Sequence, residues 1–95
     1  MFSITRNRRH TSLTERYDIS KAVDVAKQMF GSAHDGYGLM LICTYAKQHT
    51  LHEISNATGA SVESVFVSRC AANHLTCKKY STLVNQFVKS INHLN

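Results

Sequence analysis

Proline and tryptophan are both absent from this chain, and only four glycines occur. An all-β meander needs turn residues at every corner, so this scarcity favours helices joined by short connections. Long apolar runs are also missing. The longest, Leu39-Met40-Leu41-Ile42-Cys43, is far below the roughly 18 residues that a membrane span requires. Carboxylates are few and scattered, no glycine-rich phosphate loop is present, and Gly36-Tyr37-Gly38 is too short a motif to imply one. An enzyme built on paired acids or on a nucleotide cradle is therefore not expected. The three cysteines include no C-x2-C pair, and an odd number cannot be fully paired within one chain. A disulfide framework is not expected either. The arginines near the N-terminus are not followed by an apolar stretch, so no secretory leader is expected and the cytoplasm is the expected compartment.

What remains is a chain of 95 residues, 43% hydrophobic and 18% charged, with a net charge of +5. It is apolar enough to fold as one small domain and too short to bury a generous core. The charge is unevenly placed. Arg6, Arg8, Arg9 and Arg16 stand against Glu15 near the start, and residues 51–68 hold only Glu53 and Glu63. Arg69, Lys78, Lys79 and Lys89 then make the end basic. Basic ends flanking an acidic middle suit an anionic partner such as nucleic acid, although the same charges also serve as a solubilising surface.

Residues 1–11 show no apolar period and read as a basic flexible arm, leaving 12–95 as a single helical domain. Ser12-Leu13-Thr14-Glu15 fits a capping box, with Asp18 a rival helix start. Ile19, Val23, Ala26 and Phe30 follow at helical spacing, and Gly31 is a plausible stop. A loop is expected over 31–38, then a second helix from Leu39 to Ala46 buried on most sides. Thr50-Leu51-His52-Glu53 is another capping box, opening a short helix that Gly59 ends. Ser61 can cap a fourth helix, in which Val62, Val65, Phe66 and Arg69 keep the period to about Asn73. Residues 75–81 alternate as a short strand or loop would. Ser81 can cap a last helix with Val84, Phe87, Val88, Ile91 and Leu94 along one face. The expected fold is mainly α, with about five helices and at most a minimal wing.

Ile54-Ser55-Asn56-Ala57-Thr58-Gly59-Ala60-Ser61-Val62-Glu63-Ser64-Val65 carries the spacing of a helix-turn-helix. It has a small residue where two backbones approach, a glycine four positions later, and an aliphatic anchor six after that. The stretch resembles the bacterial helix-turn-helix transcription regulators and is most similar to the DNA-binding end of the catabolite-activator-like and related winged-helix families. Thr58 departs from the usual aliphatic residue, Ala60 is smaller than the usual valine or isoleucine, and no long wing follows Asn73. The resemblance implies a motif over residues 50–73 whose second helix enters the major groove of double-stranded DNA. It implies that Ser61, Glu63, Ser64, Ser68 and Arg69 face that groove. Lys78, Lys79, Arg6, Arg8 and Arg9 would then supply the phosphate attraction.

Two expectations complete this reading. The stripe Val84, Phe87, Val88, Ile91 and Leu94 is longer than three short inner helices need, so it is expected to hold a homodimer. Cys70, His74 and Cys77 fall at i, i+4 and i+7 and could share a metal on an unbroken helix. The favoured reading makes the two cysteines small core residues, with neither metal nor cofactor. The rival function is a protein-interaction module, an adaptor or inhibitor with no affinity for DNA.

Overall fold

The structure is a computed structural model that describes residues 19–93. Arg6, Arg8, Arg9, the Ser12–Glu15 capping box, Asp18 and Leu94 lie outside the described residues. Five helices follow one another: α1 (Ile19–Phe30), α2 (Gly36–Tyr45), α3 (Leu51–Thr58), α4 (Val62–His74) and α5 (Lys78–Asn92). No strand occurs among the described residues, so the connection from α4 to α5 forms no wing. No described helix is long and apolar enough to cross a membrane.

α2 is the axis of the core, packing against all four other helices. That explains why its apolar residues show no single stripe: Leu39, Leu41, Ile42 and Cys43 are all buried. α1 buries Ala22, Val23, Val25 and Ala26, with Ile19, Met29 and Phe30 half-buried at the margins. It ends where expected. Gly31 takes φ +79°, and its N–H donates to the Lys27 carbonyl at 2.9 Å.

α2 begins three residues earlier than expected, drawing Gly36-Tyr37-Gly38 into its first turn. The reason is the close return of the preceding loop. A Cβ at Gly38 would collide with the Ser32 carbonyl oxygen and touch the Ala26 Cβ at 3.4 Å. The glycine that looked uninformative in the sequence is the one that lets the 31–35 loop lie against α2.

The expected strand or loop over 75–81 is corrected. Leu75 is extended after α4, and α5 starts at Lys78 with Cys77 as its N-cap. Ser81 is inside the helix, where its N–H donates to the Cys77 carbonyl at 3.2 Å. The extra turn brings Tyr80 into the core, and its hydroxyl bonds the Thr44 hydroxyl at 2.9 Å. The apolar stripe of α5 thus runs Tyr80, Val84, Phe87, Ile91, one turn longer than the sequence suggested.

That stripe faces inward. α5 packs on α1 and α2. Phe87 is 1% exposed and Ile91 3%, and the Phe87 ring meets Tyr45 edge-on at 6.3 Å. Phe87 and Ile91 therefore do not form an open dimerisation surface, because the small inner helices leave a gap that only this helix fills. Val84 and Val88 are half-buried beside them.

Candidate recognition surface

The segment Thr50–His74 is built as the local sequence dictates. Thr50 Oγ1 accepts from the Glu53 N–H at 3.1 Å, and the Thr50 N–H donates to Glu53 Oε1 at 2.9 Å. This completes the capping box of α3. The Thr50 N–H, helped by His49 at 3.3 Å, holds the Glu53 carboxyl below the usual carboxylate range. At the other end Gly59 is left-handed, at φ +82°, with its N–H donating to the Ser55 carbonyl at 2.9 Å.

Two hydroxyls stiffen the turn. Ser55 Oγ donates to the Ala60 carbonyl at 2.6 Å. Thr58 Oγ1 donates to the Ile54 carbonyl at 2.7 Å and accepts from the Ala60 N–H at 3.2 Å. Thr58 thus ties the end of α3 to the turn backbone through its hydroxyl. Ile54 and Val65 are fully buried, which locks α3 to α4. Ser61 caps α4 by accepting from the Ser64 N–H at 3.1 Å. Helix, glycine turn and helix are thus in the order a helix-turn-helix requires.

The side chains on α4 sort differently from the expectation. Ser61, Glu63 and Ser64 are exposed, and Ser68 is half-buried. Arg69 is corrected: it does not face outward with them. One of its terminal nitrogens, Nη2, donates to the His49 carbonyl at 2.7 Å, and its Nε is buried without a partner. The position places it on the edge of α4 that faces the segment before α3, so the guanidinium ties those two segments together. Lys78 and Lys79 are exposed at the start of α5.

Phe66 shares the helical period of Val62 and Val65 but not their burial: it is 55% exposed, and Val67 beside it is 64% exposed. With Glu63, Cys70, Ala71 and His74, also exposed, they make the outward face of α4. This face contains no lysine or arginine. Beside its N-terminal end, a cleft of about 340 Å³ between the starts of α2 and α4 is lined by His34, Asp35, Ser61, Glu63 and Ser64 among others. The charged groups there are acids, Asp35 and Glu63. One signal of the exposed face was in the sequence: Val62, Val65, Phe66, Val67, Cys70, Ala71 and Ala72 are too many apolar residues for one helical face.

The cysteines are corrected as well. Cys43 is buried, but Cys70 and Cys77 are exposed. α4 ends at His74, so Cys77 lies beyond the helix that would have aligned it with Cys70. His74 Nδ1 donates to the Cys70 carbonyl at 2.8 Å. Among the described residues no three His, Cys, Asp or Glu side chains gather as a metal set. Burial pushes the Cys43 thiol up to about 11, against a smaller opposing pull from Arg69. Its Sγ–H points to the Val65 carbonyl at 3.9 Å. At pH 8 the native protein should therefore show two fast thiols toward Ellman's reagent, with the third released only in denaturant. A third thiol reacting at the rate of the other two in buffer would contradict the burial of Cys43.

Comparison of the chain with protein-family models, curated proteins and solved structures gives no match.

Proposed function

We propose that this domain is a protein-interaction module of the cytoplasm, a binding protein rather than an enzyme, whose recognition surface is the outward face of α4. One observation carries the reading. That face holds Phe66 and Val67 in the open and no lysine or arginine, and the only arginine of the helix is tied to the His49 carbonyl. A helix laid in a DNA groove sits among phosphates at about one negative charge per 1.7 Å, and affinity there comes from lysine and arginine. An exposed aromatic beside aliphatic residues is instead the composition of the centre of a protein interface.

The second reading is sequence-specific binding of double-stranded DNA. It is favoured by the helix-turn-helix order, by the exposed Ser61 and Ser64 at the start of α4, and by Lys78 and Lys79. In that reading Arg6, Arg8 and Arg9 supply further phosphate contacts, and Glu63 accepts from cytosine. The two separate cleanly. A random duplex pool is selected on the full chain at low and at physiological salt. The interaction reading expects weak binding that fades with salt and enriches no sequence. Enrichment of one motif, lost in Ser64→Ala or Glu63→Ala, would overturn it in favour of DNA.

A further inference from the structure

We infer that the cleft between the starts of α2 and α4 is the docking site of this chain's own N-terminal segment, with the arginines of that segment seated between Asp35 and Glu63. The inference rests on the reading of α4 as a surface for protein, and it names what covers the acidic end of that surface. Glu63 and Val67 belong both to the cleft and to the outward face of α4.

The cleft has the two kinds of lining that an arginine uses. Leu39 and Val67 line it with carbon, which suits an alkyl stem and a weakly hydrated guanidinium. Asp35 and Glu63 line the same cleft and give it its charge. Neither carboxylate is consumed by the fold. Asp35 holds the N-cap position of α2 without making a cap hydrogen bond, and it lies 3.7 Å from the exposed His34. Glu63 is exposed in the first turn of α4, with no ion pair or side-chain hydrogen bond among the described residues. The two helix starts bring about half a positive charge each, against two full negative ones. The other carboxylates among the described residues are elsewhere: Asp24 is on α1, and Glu53 is held by the Thr50 N–H and His49.

The N-terminal segment has the matching charge and the necessary length. Arg6, Arg8 and Arg9 stand together with no acid before Glu15, and Phe2 and Ile4 precede them as apolar groups for Val67 and its neighbour Phe66. Arginine and carboxylate pair through two parallel hydrogen bonds, the strongest of the common ion-pair geometries. The chain enters α1 at Ile19, and the 12 residues of α1 make a rod of about 18 Å. Beyond its far end the 31–35 loop brings His34 and Asp35 to the cleft. Residues 10–18 can span up to about 30 Å. That is enough to run back along α1 and set Arg9 at the cleft. A tethered segment is also present at about millimolar local concentration, so it holds the site against an untethered peptide of the same composition.

The test is paramagnetic broadening of backbone amide signals in the full chain. A nitroxide is attached through Thr5→Cys in a background of Cys70→Ser and Cys77→Ser, since Cys43 is buried. Broadening should concentrate at His34, Asp35, Ser64 and Val67. It should be weak at Lys47 and Asn73, which line a second cleft at the other end of α4. Asp35→Asn combined with Glu63→Gln should abolish the pattern, and so should salt of about 1 M, where screening acts over about 3 Å. The thermal midpoint of that double variant should stay near the parent value, because both side chains are exposed. Broadening spread evenly over the surface, or unchanged in the double variant, overturns the docking. A mixture of isotope-labelled chain without nitroxide and unlabelled chain bearing it should show no broadening. The same pattern in that mixture makes the occupant a second copy and overturns docking within one chain. The interaction reading fails by a different sign. Random-sequence duplex that shifts the Ser64 and Val67 amides of the wild type at physiological salt overturns that reading, whatever the nitroxide shows. Docking that fails while duplex leaves those amides in place overturns only the N-terminal segment as occupant.

Discussion

Phe87→Ala should lower the unfolding free energy by about 3–5 kcal/mol, and the loss should not depend on protein concentration. Phe87 is the largest of the fully buried side chains, 1% exposed and edge-on to Tyr45. It sits where α5 meets α1 and α2, so truncation leaves a cavity that three helices would have to close together. A small domain has only about 5–15 kcal/mol of stability in all. The variant should therefore lose a large share of its stability and unfold at a markedly lower urea concentration, and Phe87→Lys should not fold, because it adds an unpaired buried charge. Urea denaturation monitored by circular dichroism at two widely separated concentrations checks this. A cost that vanishes on dilution would return Phe87 to a subunit interface. A Phe87→Ala protein as stable as wild type would mean that α5 does not close the core.

Gly38→Ala should cost about 3 kcal/mol, the upper part of the usual range for overpacking. The substitution is ordinarily stabilising inside a helix, by up to about 1 kcal/mol, so the sign itself is the test. The neighbour that a Cβ would meet is the Ser32 backbone carbonyl, and no rotamer change removes a backbone atom. Either the 31–35 loop shifts or the start of α2 unwinds, and both loosen Ala33, which is 1% exposed in the core. Ser32→Ala is the matching control. It keeps the carbonyl and should change stability little, losing only hydroxyl contacts to the exposed His34. A Gly38→Ala protein that melts at or above the wild-type temperature would show that the loop does not lie against α2.

The local signals were legible and turned out where they were read. Thr50 with Glu53, Gly59, Ser61 and Gly31 each act within a few residues, through a cap or a left-handed turn, so no distant part of the chain can alter their meaning. Ile54 and Val65 were legible as anchors for the same reason, since the turn between them sets which faces meet. The errors fall where a residue's role depends on which element it meets across the fold. Tyr80 read as part of a short strand or loop because its partner, Thr44, is 36 residues away. Phe66 shares the helical period of Val62 and Val65, and Arg69 reads as groove-facing, whereas the packing of α4 on α2 and α3 exposes the first and pins the second to His49.

The sequence by itself determined a proline-free helical chain, the starts and stops of α3 and α4, and a helix, turn and helix around Gly59. Those follow from backbone hydrogen bonding and left-handed geometry, which are local. Only the tertiary structure decided that α5 completes the monomer and that the open apolar face belongs to α4. Two stripes on one chain compete for the same interior. α2 has room beside α1 for the one that carries Tyr80, Phe87 and Ile91, and Phe66 and Val67 are left outside.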